Sequence, residues 1–406
     1  MSRLGLFEGV GVEIEYMIVD GESLDVRPVC DELMEIMAGE PVSDLERGSI
    51  AWSNELVLHV LELKTNGPAA DLHGLASAFH AEVVTAIEKL ESMGCTLLPG
   101  GVHPWMDPSL ETRLWPHEYN EVYQTFDRIF DCSGHGWSNL QSTHVNLPFD
   151  GDEEFGQLHA AIRIVLPLIP ALAAASPFLD GAPRPSLDAR LEAYRLNARR
   201  IPEVAGAVIP EPVSSEQEYR DRILQPLYDA LEPHDPEGVL RHEWANARGA
   251  IARFERGAIE IRVIDAQECP TADLAVVGLV CGVVRALTEE RWGSVANMDD
   301  IETERLASVL DDTIRAGGDA VVSDRMLLDA LGWSRSETTA ITLWRSLADR
   351  VAPDLVPDEY GAAIETIVGH GPLASRMLGA HRQGGSLETI AGGLVDSLRA
   401  DRLFIA

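Results

Sequence analysis

The stretch that most constrains the fold is GVGVEIEYMIVDGE, residues 9–22. Side chains along a strand point alternately to two sides. Val10, Val12, Ile14, Tyr16 and Ile18 then share one apolar face, while Glu13, Glu15, Met17 and Val19 share the other. Two carboxylates on one strand face repel each other unless a cation sits between them or one takes up a proton. The wet outer face of a one-sided antiparallel sheet would tolerate them. A buried face would call for a cation, and Mg²⁺ prefers oxygen ligands. The choice turns on whether other strands repeat the pattern.

Three other segments do. In SNELVLHVLELKTNGP (53–68), Glu55 precedes an apolar strand and Glu62 lies within it, seven residues on, sharing a face with Leu58, Val60 and Lys64. In NLQSTHVNLPF (139–149), Ser142, His144 and Asn146 fall on one face and Thr143, Val145 and Leu147 on the other. Imidazole and amide groups of this kind coordinate a cation or bond a substrate. In RGAIARFERGAIEIRVIDAQECP (248–270), ERGA reads as a hairpin turn. Glu260 and Arg262 then share a face opposite Ile259, Ile261 and Val263. Each segment has an ordinary reading as a surface Glu, a structural His or a surface ion pair. Taken together, four strands lined with Glu, His or Arg describe a concave sheet able to hold several Mg²⁺ ions and a nucleoside triphosphate. Carboxylates would supply hard ligands and Arg would support the transferring phosphoryl group.

The rest of the chain sets the frame. Strand-like segments fall at 10–20, 56–65, 95–103, 139–148 and 249–265. Helical periodicity covers 70–93, 116–131, 153–175, 187–200, 216–231 and 272–291, and continues from 301 to the end. This predicts an α+β fold, with a catalytic domain over 1–295 and a helical C-terminal region, 296–406, packed on it. Arg190, Arg195, Arg199 and Arg200 read as a solvated helix face, with an anionic substrate within reach of some as the lesser alternative, and Gly100-Gly101 reads as a tight turn ahead of a cover over a ligand. No apolar run approaches the roughly 18 residues of a membrane span, and no signal peptide is evident at the N-terminus. Five scattered cysteines without a CxxC pair suit reduced core thiols and a cytoplasmic location. The formal net charge is −34, which argues against nucleic acid as a partner. Nothing in the composition opposes a homo-oligomer.

The segments GVEIEY, ELVLHVLELKT, GGVHPW, STHVNLPF, AAASPFLDG, RLEAYRLNARRIP and WANARGAIARFERGAIEIRVIDA, with the closing GPLASRMLGAHRQGGSLETIAGGLVDSL, resemble the carboxylate–amine ligase family that includes glutamate–cysteine ligases. The resemblance implies a glutamine-synthetase-like fold, a curved and largely antiparallel sheet backed by helices. It implies that a substrate carboxylate, such as the γ-carboxylate of glutamate, attacks ATP to give an acyl phosphate. An amine, such as that of cysteine, then displaces phosphate. By position, Glu13, Glu15, Glu55, Glu62, His144 and Glu260 resemble the ligands of two or more Mg²⁺ ions. Arg262 resembles the arginine on the transferred phosphoryl group, with Glu260 beside it. Arg248 stands where a substrate-carboxylate arginine is expected, with His144 and Asn146 as further substrate contacts. Where many members carry Gln before the second Glu, this chain has Val60. Where many carry a paired His motif, it has Thr143, His144 and Asn146. Two other readings fit the same residues: phosphotransfer to a guanidino compound, and a non-catalytic nucleotide-binding relic.

Overall fold

A computed structural model describes residues 3–405. The strand pattern folds into an eight-stranded antiparallel sheet. Its strands are β1 (Gly11–Asp20), β2 (Asp44–Arg47), β3 (Ile50–Asn54), β4 (Val60–Thr65), β5 (Cys95–Leu98), β6 (Ser142–Pro148), β9 (Ala250–Arg253) and β10 (Ala258–Asp265). The small hairpin β7 (Phe178–Leu179) and β8 (Ala182–Pro183) stands apart. The spatial order is β2-β3-β4-β1-β6-β10-β9, with β5 also paired to β1. Glu13–Met17 of β1 pair with β4, Gly11–Ile14 pair with β6 and Met17–Asp20 pair with β5. The strand that carries both carboxylates is therefore flanked on each side.

The two-residue alternation decides which side faces the core. Val12, Ile14, Tyr16, Ile18, Leu61, Leu63, Val145, Leu147, Ile259 and Ile261 all enter one large apolar cluster. Helices Leu75–Glu91 and Gly151–Val165 contribute to the same cluster. Burying each such side chain stabilises the fold by roughly 1.5–3 kcal/mol, which fixes the register. A one-residue slip would turn every charged residue into this core.

Helix Pro270–Thr288 corrects one expectation. It spans 19 residues and contains an 18-residue window of mean hydropathy 1.7, long and apolar enough for a membrane span by length and composition, yet 83% of that window is buried inside the protein. It packs against helices Leu75–Glu91, Gly151–Val165, Ala340–Leu355 and Gly361–His370. A helix surrounded on all sides is apolar all round. The C-terminal helices share the same core, and Trp344 donates its indole N–H to the Leu168 carbonyl at 2.7 Å. A short ribbon pairs Val321–Val322 with Thr338–Thr339 within this otherwise helical stretch. The 56–65 strand starts later than its apolar run suggests. Residues 55–59 form the crossing between β3 and β4, where Asn54 donates to the Glu55 carbonyl at 3.0 Å.

Candidate active site

The face opposite the core collects the charged residues. Register sets Glu13 of β1 opposite His144 of β6 and Lys64 of β4, Glu15 opposite Glu62, and Glu260 of β10 opposite Asn146. This face is not wet: Glu15, Glu62, His144 and Glu260 are each no more than 7% exposed. The antiparallel crossing from β3 to β4 returns Glu55 to Glu62, which explains their seven-residue spacing. Glu13, Glu62 and His144 each offer a ligand atom within 4.8 Å of the others, and so do Glu15, Glu55 and Glu62. Around a Mg²⁺ ion with ligands at about 2.1 Å, octahedral neighbours lie about 3 to 4.2 Å apart. Small side-chain adjustments would therefore close either set on a cation. Glu62 belongs to both.

Hydrogen bonds hold the set in place. Ser142 donates its backbone N–H at 2.7 Å and its hydroxyl at 2.9 Å to Glu15 Oε2. Ser53 donates to Glu62 Oε1 at 2.5 Å, and Asn146 donates to Glu13 Oε1 at 3.1 Å. His144 Nδ1 lies 3.3 Å from Glu13 Oε2. Electrostatics divide the carboxylates. Burial opposes ionisation of Glu13, but the bond to His144 and its charge hold the carboxyl down at about 2. Burial and the nearby Glu13 push Glu62 up to about 7. Burial, with the charges of Glu62 and Glu15, holds Glu55 well above the usual carboxylate range. Burial works against protonation of His144, yet the bond to Glu13 and the charge of Glu15 raise its pKa. Such a cluster takes up protons or cations.

A cleft of about 230 Å³ opens beside Glu15, Glu55 and His144. Arg262 lines it, on a strand that bulges between Ile261 and Ile264; bulges of this kind re-aim side chains beside sites. Arg262 Nε is ion-paired to Glu260 Oε1 at 3.1 Å without the alignment of a hydrogen bond among the described residues. Arg253 approaches Glu260 from β9 at 3.5 Å.

The structure brings together Glu13, Glu15, Glu55, Glu62, His144, Asn146, Glu260 and Arg262, but not Arg248. Arg248 is buried away from the cleft lining, and Glu211 takes its guanidinium at 2.6 and 2.7 Å. Its remaining Nη1 donates to the Glu203 carbonyl and the Asn246 side chain, each at 3.1 Å. The basic residue in its stead is Arg190, which is 1% exposed rather than on a solvated face, and lines the cleft. Sequence reasoning also missed the opposite wall. Tyr123, Phe126, Trp137, Tyr194 and Trp244 line it from helices and turns, with Phe126 and Trp137 rings 5.3 Å apart. They come from four separate segments and share no periodicity; the only signal was their aromatic character.

The profile of glutamate-cysteine ligase family 2 matches residues 9–392, nearly the whole chain. The chain belongs to that family. An uncharacterised protein of Archaeoglobus fulgidus is 38% identical over 283 residues, covering 69% of this chain and 75% of its own length. A Bordetella parapertussis protein provisionally named glutamate–cysteine ligase 2 is 27% identical over 268 residues, covering 63% of this chain and 56% of its own. Among solved structures, a glutamate–cysteine ligase of Francisella tularensis, in complex with AMP, superposes over 98% of this chain and 90% of its own with a TM-score of 0.60. A bifunctional glutathione synthetase from Pasteurella multocida gives the same TM-score of 0.60 over 97% of this chain and 53% of its own. Both are 12% identical to this family 2 member, so the likeness is one of fold.

Proposed function

We propose that this family member is an ATP-dependent carboxylate–amine ligase that joins the γ-carboxylate of glutamate to an amine, with cysteine as the first candidate. The observation that carries this reading is the pair of acidic ligand sets sharing Glu62, with Arg262 lining the same cleft.

Glu13, Glu15, Glu55, Glu62, His144 and Glu260 would hold Mg²⁺, which when bound screens the phosphate charge. Arg262 faces the point of phosphoryl transfer. A guanidinium there stabilises charge that rearranges between the nucleotide and the attacking carboxylate. Arg190, the other guanidinium in the cleft, takes the α-carboxylate of the acid substrate and leaves the γ-carboxylate toward Arg262. The carboxylate oxygen bonds to the γ-phosphorus as ADP leaves. The amine nitrogen then bonds to the acyl carbon as phosphate leaves, and the nitrogen gives up its proton. Tyr123, Phe126, Trp137 and Trp244 shield this step from water, which would hydrolyse the intermediate.

The test is ADP release from ATP with Mg²⁺ and L-glutamate, with and without a panel of amines, with products identified by mass spectrometry. ADP release that depends on an amine and yields a γ-glutamyl amide is the expected result. A phosphorylated product without amide would indicate a phosphotransferase, and no turnover a relic.

A further inference from the structure

Behind Arg190 lies a buried polar cluster that the ligase reading leaves unused. Asp265 ends β10, three residues beyond Arg262, and is fully buried. Its Oδ1 accepts from Arg190 Nε. Its Oδ2 accepts from the Ala175 backbone N–H and from the Ser176 hydroxyl, each at 2.8 Å. Ser176 Oγ in turn accepts from the Arg190 backbone N–H at 3.0 Å. Arg190 Nη2 reaches the Arg262 carbonyl at 3.4 Å, and no hydrogen bond falls on Nη1 among the described residues. A Cβ at Gly101 would lie 2.4 Å from Asp265 Oδ2. Gly100-Gly101 is therefore more than a turn: its second glycine lets the backbone pass against this carboxylate. Asp188 caps the Arg190 helix, accepting from Leu191 N–H at 2.8 Å. Burial and the charge of Asp265 push the Asp188 carboxyl well above its usual range.

We infer that Asp265 is a positioning residue that fixes the Arg190 guanidinium in the cleft and thereby sets the affinity for the acid substrate, independently of the nucleotide. The inference rests on the ligase reading of Arg190. The physical ground is the fork of the guanidinium. One edge is tied to a carboxylate held by the Ala175 N–H and the Ser176 hydroxyl and pressed by Gly101, which leaves Nη1 free for a ligand carboxylate without the entropy of ordering a long side chain. Because Asp265 and Arg262 lie on one strand, the same element presents the phosphoryl-side arginine and aims the acid-side one.

The experiment uses the full chain with Mg²⁺, ATP, L-glutamate and cysteine. Asp265→Asn should raise KM for glutamate by about tenfold or more, the effect of losing one charge-assisted bond. KM for ATP and kcat should stay within about threefold. Arg190→Lys should give the same acid-selective pattern, and the double variant should be no worse than the poorer single one. Calorimetric binding of L-glutamate, with Mg²⁺ and a non-hydrolysable ATP analogue, should weaken in parallel. Equal effects on glutamate and ATP, or no effect on either, overturn the inference. If Asp265→Asn fails to fold, Ser176→Ala keeps both carboxylates and should still raise the glutamate KM; an unchanged value overturns the inference as well. A wild-type chain that binds glutamate but forms no amide would sink the ligase reading alone, leaving calorimetry to decide on Asp265. A wild-type chain that binds no glutamate overturns both.

Discussion

At the scale of single residues, the site is an excess of buried negative charge that a cation would balance on the ligase reading. Against burial, the bond to His144 holds the Glu13 carboxyl down at about 2, whereas burial and Glu13 push Glu62 up to about 7; on the ligase reading Glu13 would meet the cation ionised, and the cation would displace the proton of Glu62. Glu13→Gln or Glu15→Gln keeps the side-chain shape and removes one charged ligand. Either should lower turnover by orders of magnitude and raise the Mg²⁺ concentration needed for half-maximal rate, while the circular dichroism spectrum stays that of the wild type. Near wild-type turnover at low Mg²⁺ would rule out that residue as a ligand. Arg262→Lys separates catalysis from binding, because it keeps the charge and loses the fork. Its kcat should fall by roughly 10²–10³-fold, as for loss of one transition-state donor set, with the KM for ATP changing by less than about tenfold. A raised KM with unchanged kcat would confine Arg262 to ground-state binding.

At the scale of elements, the chain's chemistry was legible wherever it followed the two-residue period of a strand. β1, β4, β6 and β10 each put their site residues on one face and apolar residues in the core, and that alternation could be read directly from residues 10–19, 60–65, 142–148 and 258–263, the register shift after Ile261 breaking it beyond. Glu55 was legible only by its spacing from Glu62, since it lies in a crossing rather than a strand. What rests on helices was only faintly legible, the Arg190 helix being read as a solvated face first and as within reach of an anion second. Arg190 sits in a helical start whose neighbours Ala189 and Leu191 are also buried, and periodicity counts an arginine as solvent-facing. Arg248 illustrates the converse: its partner Glu211 lies 37 residues away, and no local pattern announces the pair. The hairpin β2–β3 and helix Cys30–Ala38 were also missed, being short and mixed in polarity. The join between the sheet and the C-terminal helices has its own test. Arg376 forms a buried pair with Glu268, just after β10, and its Nη1 reaches the Phe404 carbonyl at 2.6 Å. Arg376→Leu should destabilise the protein by about 3–5 kcal/mol, because Glu268 is left charged and unpaired. Adding Glu268→Leu should recover most of that loss in chemical denaturation, as expected if the cost lies in the orphaned charge.

At the scale of the whole molecule, one sheet separates two environments. One face builds a dry apolar core continuous with the C-terminal helices, and the other holds carboxylates, two arginines and an aromatic wall around a single cleft. On the ligase reading, the residues that would hold the metal and the two cleft arginines, Arg262 and Arg190, sit on neighbouring elements of one scaffold, the condition for transferring a group between two bound substrates. On the ligase reading, the acid substrate is activated as an acyl phosphate in that cleft. That step is tested most directly with glutamate carrying ¹⁸O in its γ-carboxylate, incubated with the full chain, ATP, Mg²⁺ and cysteine. Transfer of one ¹⁸O into the released phosphate is the predicted result. Amide formation with unlabelled phosphate, or phosphate labelled only from ¹⁸O-water, would contradict it.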